Sequence, residues 1–189
     1  MLANIFALIL SAVSGLLTIV LLVRFFMQWQ RLPFRNQLGQ FIAATTNWIV
    51  LPLRRVIPGF GGLDLASLAA AWLVQALTIG IEYSLRGAGV SAGLLIAMFG
   101  VGFFEVLRMM VYLLIGVVIV SAVLSWINPH APIAPLIHGL ADPFLRPFRR
   151  VIPPIAGVDL SPLVLLLVLQ VVLMVIGSVQ AGVLPALLR

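Results

Sequence analysis

Two arginine pairs are the chemically most pointed feature of this sequence: Arg54-Arg55 and Arg149-Arg150, each followed ten residues after its first member by an aspartate, Asp64 and Asp159. A guanidinium presents a rigid fork of N–H donors that matches a carboxylate or a phosphate. The aspartates have a bland reading as carboxylates at the positive ends of the helices that follow. The functional reading is that each aspartate holds its arginine pair as a site for an anionic lipid or an acidic protein partner.

Other constellations carry less chemistry. Gly89-Val90-Ser91-Ala92-Gly93 fits the G-x-S-x-G elbow of serine hydrolases, but that elbow needs a strand before it and none precedes it here. A glycine turn at the membrane interface is the better reading. His138 and Asp142, four residues apart, share one helix face as a minimal start of a metal site, and two ligands are too few. The absence of cysteine excludes disulfides, thiolate catalysis and cysteine-ligated metal. No histidine lies in an apolar run, which argues against haem ligation. The chain therefore reads as a non-enzyme without a cofactor, and no direct nucleic-acid contact is expected. Gln75 and Gln170 each lie eleven residues beyond their aspartate, or about 16 Å of helical rise, near a bilayer centre. They are expected to form an interhelical hydrogen bond between the second and fourth spans; the alternative is that they line a conduction path.

The elements that must position these residues are membrane spans. With 63% apolar and 8% charged residues and a mean hydropathy of +1.24, the chain cannot cover itself with a polar surface. Uncharged runs at 2–23, 65–81, 109–127 and 160–188 are each long enough to cross a bilayer. The first lacks a basic stretch before it and reads as a retained span, not a cleaved leader. All basic residues are arginine and the net charge is +6; codon bias is the preferred reading of the arginine preference, with lipid phosphate or carboxylate binding the alternative.

An internal repeat organises the spans. PLRRVIPGFGGLDL (52–65) lies on PFRRVIPPIAGVDL (147–160) at an offset of 147 − 52 = 95, with nine of fourteen positions identical, which identifies a duplication. The same offset pairs Gln75 with Gln170 and Asn47 with Asp142, and after a two-residue gap Trp29 pairs with Trp126. The expected organisation is a first repeat over 1–88, a connector over 89–108 and a second repeat over 109–189. The architecture is an all-α polytopic membrane protein: about four transmembrane helices in two parallel tandem repeats, related by a pseudo-two-fold axis along the membrane normal.

Arginine is retained on the cytoplasmic side of short loops. Arg24, Arg31, Arg35, Arg54 and Arg55 precede the second span, and Arg146, Arg149 and Arg150 precede the fourth; the other side carries Arg86, Arg108 and Arg189, offset by Glu82 and Glu105. Both termini are therefore expected in the periplasm of a bacterial inner membrane. The run at 87–104 holds five glycines and is expected as an interfacial or partly inserted helix leading into a long third helix, with Glu105 and Arg108 one turn apart. A fifth span is the alternative. The two basic loops, rich in apolar residues, are expected on the headgroup layer, broken into short pieces by Pro52, Pro58, Pro143, Pro147, Pro153 and Pro154. Trp29 and Trp126 would then sit at the interface.

The segments RFFMQW (24–29), SWINP (125–129), DPFLRPFRRVIP (142–153) and GVDLSP (157–162) resemble the YggT family, also called YlmG-like. The likeness covers nearly the whole chain and both copies. The first copy departs from the pattern at Asn47-Trp48 and Ala66-Ser67, and the second carries Ser121 where the first has Arg24. The resemblance implies roles in assembly or organisation: members are linked to osmotic-stress tolerance and to cell-division neighbourhoods, plastid relatives to nucleoid distribution and to assembly of a membrane cytochrome. The expected function is a non-catalytic scaffold or assembly factor. Its expected partners are anionic lipids, a membrane or cytoplasmic protein, and further copies of itself; an oligomeric channel or transport component is the alternative.

Overall fold

The computed structural model describes residues 2–85, 87, 89, 91–152 and 159–187. Arg86, Val90, Pro153, Pro154 and Arg189, which entered the expectations above, lie outside them. The described chain forms α1 (Leu2–Trp29), α2 (Gln37–Val56), α3 (Leu65–Leu85), α4 (Ala92–Ile127), α5 (Ala134–Val151) and α6 (Ser161–Leu187). Helices α1, α3, α4 and α6 are long and apolar enough to cross a membrane. The protein is an all-α polytopic membrane protein.

Local chemistry sets the helix ends. Arg31, at φ +56°, takes the left-handed position after α1. Leu32 N–H then bonds the Met27 carbonyl and Arg31 N–H that of Gln28, a Schellman closure with arginine where glycine is usual. The Asn36 side chain accepts from Gly39 N–H and caps α2. Gly61 and Gly62, both at positive φ, turn the chain so that Phe60 and Leu63 pair just before α3. Ser91, the serine of the G-x-S-x-G match, accepts from Leu94 N–H and starts α4.

The proline expectation fails. Pro52 lies inside α2, and Pro143 and Pro147 inside α5, so each basic loop holds one helix of about twenty residues instead of fragments. All three prolines face outward, where the carbonyls they leave unbonded can reach water or headgroups. Glycines do not interrupt α4 either. From Ala92 on, the run expected as a helix leading into the third span is continuous with it, giving a helix of 36 residues, or about 54 Å, against a hydrocarbon core of about 30 Å.

The chain divides into two compact units, Met1–Met110 with Ile176–Arg189, and Val111–Val175. In the first, Leu21, Leu22 and Met27 of α1, Val50 of α2 and Ala70 and Ala71 of α3 are fully buried. The first half of α4 lies against α3 along a seam of small residues, Ala76 and Gly80 meeting Gly102 and Met98. There the Trp72 indole N–H donates to the Phe99 carbonyl. In the second unit, α5 buries Leu136, Leu140, Ala141 and Leu145 on one face, and α4 and α6 add Val118, Leu165 and Leu169. The same helical spacing buries Gly39, Ile42, Thr46 and Val50 of α2.

Candidate functional site

In the first copy the aspartate is the centre of a buried polar cluster. Asp64 is wholly buried and Arg24, from α1, is only 6% exposed. Arg24 donates to the Thr46 hydroxyl at 2.6 Å and to Asn47 Oδ1 at 2.8 Å, both on α2, and its Nε lies 3.6 Å from Asp64 Oδ2. The same carboxylate oxygen accepts from Arg54 at 2.6 Å and from the Ser67 hydroxyl at 2.6 Å. Arg54 also donates to Gln28 at 2.8 Å. One carboxylate thus ties α1, α2 and α3 together, with two guanidiniums beside it.

In the second copy the equivalent groups are arranged more openly. Arg149 donates through Nε to Asp159 at 2.8 Å and through an Nη to Asp142 at 2.7 Å. Arg146 lies at 4.0 Å from Asp142. The Asp159 side chain also accepts from Ser161 N–H at the start of α6, so this aspartate caps its helix while Asp64 does not. Burial alone would lower the Arg149 pKa, but its hydrogen bonds to Asp159 and Asp142 outweigh that and hold it above its usual value. Burial would likewise raise the Asp159 carboxyl; the Ser161 hydroxyl, Arg149 and the Ser161 N–H outweigh it and hold the group below the usual carboxylate range. Ser121, at the place of Arg24, bonds His138 Nδ1 at 2.8 Å. That leaves His138 tied to α4 and Asp142 tied to Arg149, not joined to each other.

The two members of each arginine pair have different tasks. Arg54 and Arg149 close on aspartates, whereas Arg55 and Arg150 are exposed and make no ion pair among the described residues. Both outward arginines lie in the last turn of an amphipathic helix, where its dipole favours a cation.

The two glutamines also part company. Gln75, 5% exposed, donates to Thr18 of α1 at 2.8 Å and approaches the Met109 sulfur at 3.5 Å, so its interhelical bond runs to the first span. Gln170 is exposed on α6. Glu105 and Arg108 form the expected pair, and Arg108 also donates to Gln180. Sequence reasoning missed the role of Arg24, counting it only for orientation. The signal was present in the paired differences Arg24 to Ser121 and Asn47 to Asp142, each of which makes the second copy more negative by one charge.

The profile of the CCB3/YggT family matches residues 3–85 and 101–180. An uncharacterized protein named YggT from Escherichia coli K12 is 37% identical over 180 residues, covering 93% of this chain and 91% of its own. An uncharacterized Pseudomonas aeruginosa protein is 36% identical over 176 residues, covering 92% of this chain and 89% of its own. A third uncharacterized relative, from Vibrio alginolyticus, is 32% identical over 93% of this chain and 95% of its own. No solved structure matches the chain.

Proposed function

The chain belongs to the CCB3/YggT family, and from that premise we propose that it is a non-catalytic membrane scaffold or assembly factor whose working surface is the outward arginine of each pair, Arg55 and Arg150. The observation that carries this reading is the division of labour within the pairs. An arginine needed only to hold an aspartate, or only to orient a loop, would not require a second exposed arginine at the same place in both copies. A guanidinium on an amphipathic helix suits lipid phosphate or a carboxylate of an acidic partner. The protein would sit in a bacterial inner membrane with α2 and α5 on the cytoplasmic face and both termini in the periplasm. Organisation at that face is compatible with the roles in osmotic-stress tolerance or cell division that the family resemblance implies.

The test is the double variant Arg55→Gln with Arg150→Gln in the full-length protein. It should insert and accumulate normally and lose at least tenfold in association with phosphatidylglycerol vesicles or co-purified partners, with poorer survival of hypo-osmotic shock. Unchanged association and survival would end the binding reading. Ion flux through protein-containing liposomes that is abolished by Gln75→Leu, with folding intact, would replace it by the channel reading.

A further inference from the structure

The two copies of the polar cluster differ by a matched set of residues. Arg24, Gln28, Thr46 and Ser67 of the first copy correspond to Ser121, Ser125, Ala141 and Pro162 of the second, all shorter or less polar, while Asp64 persists as Asp159 and Asn47 is replaced by Asp142. At the four positions 24, 47, 54 and 64 the charges are +1, 0, +1 and −1, a net of +1; at 121, 142, 149 and 159 they are 0, −1, +1 and −1, a net of −1. In the first copy the Arg24 guanidinium lies between Thr46, Asn47 and Asp64. In the second, Ser121 and Asp159 of the corresponding set line a small cleft of about 50 Å³ together with Ser125, Trp126, His138 and Arg149, while Asp142 lies outside its lining. That volume is several times the roughly 10–15 Å³ that one water molecule needs, room for one small polar group.

We infer that this cleft binds a guanidinium supplied from outside the chain, the arginine side chain of a partner protein, in the place that Arg24 takes in the first copy. Arg149 does not exhaust the acceptors. A carboxylate offers about four lone-pair sites, and Asp64 already serves Arg24, Arg54 and Ser67 at once. Asp159, the carboxylate in the cleft wall, is 38% exposed, so an incoming group reaches it without unfolding the helix. A planar fork can bond the carboxylate and the serine hydroxyls together, which a compact ammonium cannot match. This surface is separate from Arg55 and Arg150, so the two proposals stand or fall independently.

The experiment titrates the full-length protein, labelled with 5-fluorotryptophan, with N-acetyl-arginine amide, N-acetyl-lysine amide and guanidinium chloride at low millimolar concentration, following the fluorine resonance of Trp126. The arginine derivative should give a saturable shift, the lysine derivative should bind at least tenfold more weakly, and Asp159→Asn should lose the response. Because Asp159→Asn disturbs the start of α6, the deciding variant is Ser121→Arg. It supplies its own guanidinium, so it should raise the melting temperature and abolish the response. As the converse, Arg24→Ser should melt lower and be partly restored by guanidinium. No saturable shift in the unaltered protein, an equal response to lysine, or a response that survives Ser121→Arg would overturn the inference. Binding of free guanidinium without N-acetyl-arginine amide would overturn the protein side chain as its source.

Discussion

Asp64 and Asp159 occupy the same place in the repeat, yet removing the charge from each should have unequal consequences. Asp64 is wholly buried between two arginines; Asp64→Asn would leave the buried Arg24 without its counter-charge, a loss of about 3–5 kcal/mol. Asp159 and Arg149 are partly exposed, and Asp159→Asn should cost about 1 kcal/mol or less. Thermal unfolding of the two variants in detergent measures the difference, and equal losses would show that the buried cluster does not carry the first unit. The pH dependence follows from the same contacts. Because the Asp159 carboxyl is held below its ordinary value, its contribution is complete above about pH 4 and disappears as pH falls through the lower folded value. Arg149, held above its usual value, stays charged throughout. At this scale the arginine pairs were legible because duplication marked them. Arg24 was not, since only folding brings it beside residues more than twenty positions away.

Between elements, the seam of α3 against α4 depends on two glycines for different reasons. A Cβ on Gly102 would lie 3.0 Å from the backbone nitrogen of Ala76, which cannot move without α3, whereas one on Gly80 would meet only the flexible end of Met98. Gly102→Ala should therefore destabilise by about 1–3 kcal/mol and Gly80→Ala by less, since Met98 can swing to another rotamer. A larger drop in melting temperature for Gly80→Ala would contradict that packing. The sequence made the four spans readable through their length and apolarity, and it misled where the composition is mixed. Proline was expected to fragment α2 and α5, but its cost depends on which face it occupies, and facing is a property of the folded helix. Glycine was expected to weaken the run before Glu105. Close approach to Ala76 is what glycine at position 102 provides, and that advantage appears only once α3 is in place.

For the whole molecule, the sequence copies and the compact units do not coincide, because α4 and α6 each run through both units. Gln180, near the end of the second copy, bonds Arg108 within the first unit. The topology therefore has to be tested on the chain, not inferred from a repeat in isolation. Among the described residues four helices are long and apolar enough to cross; with all four crossing, α3 and α4 between the two basic loops would put both loops on one side. The arginine bias predicts that this side is the cytoplasm. Gln37, Ser91 and Pro135 are all exposed, and the chain has no cysteine of its own, so a single cysteine at each site reports its side without background. In intact cells a membrane-impermeant maleimide should label the protein with cysteine at Ser91, and reach Gln37 and Pro135 only after permeabilisation. Labelling of Gln37 and Pro135 but not Ser91 would reverse the orientation and remove α2 and α5 from the cytoplasmic face. Labelling of Pro135 while Gln37 stays protected would mean an odd number of crossings between the two loops. Arg55 and Arg150 would then face opposite compartments, and no single partner surface could engage both.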